Sequence, residues 1–122
     1  MKKIFLAVFA LFLISSQICH AEQFVEGMED IPLMKGLKQI VNSDIAFGNE
    51  ETRFLEVYLE GEKNVDFQKV QKFYLNTLPE LGWKFNGKKK ETLSFYRDGE
   101  LVEVAKEKKS PLLVRITLRS EN

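Results

Sequence analysis

One stretch of this chain, residues 64–78, carries a helical period, and nearly everything after it alternates as strands do. Phe67, Val70, Tyr74 and Leu78 recur at spacings of three and four, which puts them on one stripe, and Phe73 widens it. Gln68, Lys69, Gln71, Lys72 and Asn76 cover the opposite side. A helix of this length is marginal alone in water, so the stripe needs a surface to cover it. Asn64 or Asp66 supplies the N-cap. Pro79, which lacks an N–H, and Gly82, which tolerates left-handed geometry, end the helix.

The surface for that stripe is a sheet. Upstream, residues 44–47 and 53–60 read as two strands of a hairpin around the polar turn 48–52. In the second strand Leu55, Val57 and Leu59 share one face, and Phe54, Glu56, Tyr58 and Glu60 the other. Downstream, residues 83–86 lead into a loop at Gly87, Lys88, Lys89 and Lys90, and residues 93–97 follow. Asp98-Gly99 is a two-residue hairpin signal, because both residues tolerate positive φ. Strands at 100–106 and 112–119 close the chain, joined by a charged connection at 107–111. The fold class expected is α+β: a single antiparallel sheet of about five to six strands, one helix packed on one face, order ββ-α-ββββ.

Residues 1–21 read as a cleavable export signal. Met1, Lys2 and Lys3 form a short positive region, Ile4 to Ile14 an unbroken apolar run, and Cys19 and Ala21 place small side chains where a signal peptidase needs them. The run is shorter than the roughly 17–25 residues that span a bilayer. Lipidation of Cys19 is disfavoured, because Ile18 and Ser16 occupy the positions where a lipobox needs a small and an aliphatic residue. No later segment is long or apolar enough to span a membrane. Cleavage after Ala21 leaves about 100 residues, the size of one small domain. Residues 22–41 are expected as an extended arm, kept extended at Ile31 by Pro32, with a short helix at 36–41. Residues 42–122 form the single α+β domain.

The signal holds the single cysteine, Cys19, and the single histidine, His20. A mature chain without them has no disulfide, no Cys or His catalytic group and no Cys/His metal site. The whole chain carries 18 basic and 18 acidic residues, which is not the strongly basic balance of a nucleic-acid binder. Residues 22–62 hold 10 acidic and 3 basic groups; residues 63–122 hold 8 acidic and 13 basic. That split marks either a dipolar binding surface or two halves whose charges mix on folding, and mixing is the simpler reading.

Catalytic signals are thin. Glu56 and Glu60 lie on one strand face, but four residues span about 13 Å of strand, too far to share a proton. Ser43, Ser94 or Ser110 with a lysine would make a formal Ser–Lys dyad without a supporting motif. Asp44, Glu50 and Glu51 offer oxygen ligands without EF-hand spacing. No catalytic, cofactor or metal residues are assigned. Trp83, after Gly82, is either an aromatic ligand platform or a core anchor at the helix-to-sheet junction; an anchor is expected. Phe54, Glu56, Tyr58 and Glu60 are candidates for a partner surface, unless the N-terminal arm packs over them. Lys88, Lys89 and Lys90 are candidates for contact with an anionic surface, against the plainer reading of a solvated loop.

Asp30-Ile31-Pro32-Leu33-Met34, with Val70-Gln71-Lys72-Phe73-Tyr74-Leu75-Asn76-Thr77-Leu78-Pro79-Glu80-Leu81-Gly82-Trp83, resembles a family of small exported alphaproteobacterial proteins. Their pattern is an acidic-Ile-Pro-Leu-Met arm, a helix carrying Phe-Tyr, then Leu-Pro-x-Leu-Gly-Trp and a strand-rich tail. The resemblance covers most of the mature chain. It implies a periplasmic home and brings no activity and no site residues. A helix ending in Gly-Trp before antiparallel strands is also similar in architecture to domains of outer-membrane assembly lipoproteins, whose lipidated cysteine this chain lacks. The expected function is a soluble periplasmic binding or accessory module without catalytic activity, acting through a sheet face or strand edge on an envelope protein. The alternatives are a small carboxylate- or Ser/Lys-dependent hydrolase or lyase, and a peripheral membrane-surface protein using Lys88, Lys89 and Lys90.

Overall fold

The helix stripe is buried as its spacing demands. In the computed structural model, which describes residues 23–40, 45–48 and 52–121, helix α1 spans Phe67–Thr77. Phe67, Val70, Tyr74 and Leu78 are all buried. Asp66, one of the two N-cap candidates, is the cap: its carboxylate accepts the Lys69 N–H at 2.9 Å. A 3-10 turn at Pro79–Leu81 follows, and Gly82 closes it at φ 92. The signal, Asp44, Ser43, Glu50 and Glu51 lie outside the described residues.

Among the described residues five strands precede α1, where two were expected. Strands β1 (Phe24–Val25) and β2 (Met28–Pro32) form a separate two-stranded hairpin, with Gly27 at φ 90 in its turn. Strands β3 (Leu37–Gln39) and β4 (Ile45–Gly48) both pair antiparallel with β5 (Arg53–Gly61). They occupy the same edge of β5 end to end, so the main sheet has seven strands in six positions: β3 and β4, then β5-β9-β8-β7-β6. The four strands after the helix are β6 (Lys84–Lys89), β7 (Thr92–Arg97), β8 (Glu100–Lys108) and β9 (Leu113–Ser120). Asp98 and Gly99 make the expected turn, both with positive φ (50 and 80).

Two corrections follow. The described residues form two sheets, not one, and in the segment expected as a short helix at 36–41, Leu37–Gln39 is a strand. Gly36 takes φ 100, and Leu37 then drops its side chain into the core while its backbone pairs with Gly61. Pairing with β5 satisfies donors and acceptors that a single helical turn would leave open. Nor are residues 23–40, the described part of the expected arm, plainly extended: Val25, Met28, Ile31 and Leu37 belong to the core. The Gln39 side chain ties the hairpin to the sheet, accepting from the Glu26 N–H at 2.8 Å and donating to the Glu26 carbonyl at 2.9 Å.

The topology carries the chain across one sheet face. β5 ends at one end of the sheet, α1 runs back over the face, and β6 starts four positions away at the far edge. The β6-β7-β8-β9 meander then returns until β9 docks on β5, Phe54 through Glu60 opposite Leu113 through Arg119. The covered face presents Val57, Leu59, Leu93, Phe95, Val102, Val104, Val114, Ile116 and Leu118, all buried. Over them lie α1, Trp83 and the β1–β2 hairpin. Tyr74 joins two of these pieces, its hydroxyl donating to the Pro32 carbonyl at 2.8 Å.

Candidate interaction surface

Because strand side chains alternate, the rows that do not face the core form a second face. The N-terminal hairpin packs on the core side with α1, so it does not compete for this face as the sequence left open. Phe54, Glu56 and Tyr58 stand here in one row, half-buried, as expected; Glu60 is exposed at the strand end and borders a cleft instead.

Register supplies the neighbours that sequence could not. Phe54 pairs with Arg119, Glu56 with Thr117 and Tyr58 with Arg115. Arg119 and Arg115 in turn stand beside Leu101 and Ala105 of β8. Arg119 binds Glu103 at 2.8 Å and Glu121 at 3.6 Å, and Arg115 pairs with Glu107. The Tyr58 hydroxyl donates to Glu56 at 3.3 Å. Burial first, and then the Glu56 carboxylate, hold the Tyr58 phenol above its usual range. Leu101, Ala105 and Thr117 are buried on this face although no described element covers it. Arg119 and Arg115, the register neighbours of Leu101 and Ala105, are long side chains of the kind that can cover apolar surface with their stems while the charged heads stay in water. Tyr96 extends the face to β7 and is 41% exposed. The signals that could have found Arg115, Arg119 and Tyr96 are their alternation with core residues; the missing fact was which strand neighbours which.

Lys88, Lys89 and Lys90 are not a loop. Lys88 and Lys89 are the last two residues of β6, paired with Leu93 and Thr92. Only Lys90 lies in the turn, at φ 57. The strand runs on because Asn86 is taken up as a bulge between Phe85 and Gly87.

Trp83 is an anchor, 1% exposed. The Arg97 guanidinium covers its ring at 4.4 Å from the centroid.

A cleft of about 610 Å³ opens where β5 ends and β9 begins. Its lining includes Glu60, Glu62, Lys63, Lys109 and Ser110. Among the described residues no hydrogen bond joins Ser110 to either lysine, and Ser94 lies away from it, opposite Glu103 on the open face. Among the described residues no cluster of three His, Cys, Asp or Glu could hold a metal ion, and no helix is long and apolar enough to cross a membrane.

Comparison with family models, curated proteins and solved structures finds no match to this chain. The reading of the surface therefore rests on its own chemistry. Tyrosine and arginine are among the side chains enriched at protein interfaces and at their energetic centres. Here they are held in register by a sheet whose other face is largely covered, and the arginines are paired with neighbouring carboxylates. Such a face can offer a flat, pre-ordered contact area with hydrogen-bonding tips.

Proposed function

We propose that this chain is an exported, periplasmic binding module that works without catalysis, and that its open sheet face takes a flat surface of an envelope protein. One observation carries the reading: the sheet buries most of its apolar face under α1, Trp83 and the β1–β2 hairpin, and lines the other with Tyr58, Tyr96, Arg115 and Arg119. The export signal and the resemblance to small alphaproteobacterial exported proteins support the compartment.

Photo-crosslinking in the cells that make the protein tests it. Benzoylphenylalanine at Tyr96 or Glu56, in the full chain with its leader, should give one discrete adduct from the envelope fraction. Lys72 and Asn76, on the exposed side of α1, should give none. Arg119→Ala should abolish the adduct from Tyr96 while the protein stays folded. Adducts from the helix positions alone, or none from the sheet face, would overturn the proposal.

A further inference from the structure

The arginines and lysines of this fold are used differently. All four arginines hold carboxylates: Arg53 binds Glu100, Arg97 binds Asp30, Arg115 binds Glu107 and Arg119 binds Glu103. Lys88, Lys89, Lys90, Lys108 and Lys109 are exposed and make no ion pair among the described residues. These five come from two separate stretches of sequence. The sheet order brings them together: β7 and β8 are neighbours, so the β6–β7 turn and the β8–β9 turn leave the same end of the sheet side by side. Lys106 marks the junction, reaching across to Glu91 at 2.5 Å. Glu91 is held below the usual carboxylate range by its hydrogen bond from Lys106, with Lys88 and Lys109 adding to the positive field around it. Glu107 is taken up by Arg115, and Glu60 and Glu62 stand across the cleft, beyond β9.

We propose that this lysine-bearing end docks on an anionic lipid headgroup layer. Lysine carries a compact, hydrated charge on a flexible stem, without the fork that matches one carboxylate or phosphate. Five such charges on two adjacent turns suit a diffuse layer of negative charge better than one shaped ligand. A peptide adding along the neighbouring β6 edge would meet a bulge and lysines, the devices that keep strand edges unpaired. The contact would be electrostatic, reversible and sensitive to salt. It would stand the strands end-on to the membrane and leave the Tyr58–Arg119 face free for a protein, so the two surfaces are separable.

The test is co-sedimentation of the mature protein with phosphatidylcholine vesicles, with and without phosphatidylglycerol. Binding is expected only to the anionic vesicles and should fall steeply as ionic strength rises. Each lysine near a charged surface contributes enough that Lys→Gln should weaken binding about five-fold. Lys88→Gln, Lys89→Gln and Lys90→Gln together should weaken it about a hundred-fold, and Lys108→Gln with Lys109→Gln should weaken it further. Lys84→Gln, at the opposite end of β6, removes one charge and should leave binding within two-fold. Circular dichroism confirms that each variant is folded. Equal binding to neutral vesicles, equal loss in Lys84→Gln, or capture by soluble polyglutamate in place of the vesicles would overturn the proposal.

Discussion

Arg97 sits over Trp83, its guanidinium carbon 4.4 Å from the ring centroid. The same guanidinium donates to the Asp30 carboxylate at 2.6 Å and to the Leu81 carbonyl at 2.9 Å. One side chain thus fastens the N-terminal hairpin, the 3-10 turn after the helix and the indole that fills the space between them. The indole Nε1 is buried without a hydrogen-bond partner among the described residues, so Trp83 is held by packing and by the cation above it.

Trp83→Ala should therefore cost about 3–5 kcal/mol, the range for deleting a large buried aromatic. That is a large share of the roughly 5–15 kcal/mol of a typical domain. Arg97→Lys should cost about 1 kcal/mol, since lysine keeps the charge but not the planar guanidinium fork that reaches the Asp30 carboxylate and the Leu81 carbonyl from over the ring. Urea melts of both variants give the numbers. A Trp83→Ala protein as stable as wild type would contradict the burial of the ring.

Burial holds the Tyr74 phenol well above its usual range. An unfolded chain ionises its tyrosines near pH 10. Tyr74 therefore contributes stability that is intact below about pH 10 and is lost above it, as the unfolded state releases a proton the folded state keeps. Tyr74→Phe leaves the buried Pro32 carbonyl without its donor and should cost about 1–3 kcal/mol at neutral pH. The gap between the two proteins should narrow in melts above about pH 10; a gap that stays constant would refute the assignment.

Val70 is fully buried beneath the helix. Val70→Asp places an unpaired charge there and should abolish folding. Lys69→Ala and Lys72→Ala should stay within about 0.5 kcal/mol, because both residues are exposed and Lys69 loses only its exposed bond to the Asn64 carbonyl. Asp66→Ala removes the N-cap and should cost about 1 kcal/mol. A folded Val70→Asp protein would mean that α1 does not cover the core.

The exported protein should begin at Glu22. Its intact mass decides the matter: retention of residues 1–21, or a lipid on Cys19, would count against the export reading.

Read as sequence, the chain determined its helix, a cap at Asn64 or Asp66, the turn at Asp98-Gly99, the presence of the strands from Arg53 onward and the two faces of β5. Each follows from local chemistry: a period of three to four or of two, a side chain that bonds its own backbone, a pair of residues that tolerate positive φ. The tertiary structure decided what depends on neighbours distant in sequence. Leu37–Gln39 is too short to show a period, and it becomes a strand because β5 offers it a free edge. Lys88 and Lys89 look like loop residues, and they are strand because β7 pairs with them. The Tyr58–Arg115 and Phe54–Arg119 pairs, and the gathering of Lys88, Lys89, Lys90, Lys108 and Lys109 at one end, arise only when α1 carries the chain across the sheet and the meander returns to dock β9 on β5. Strand order is a choice among long-range pairings, and no local preference encodes it.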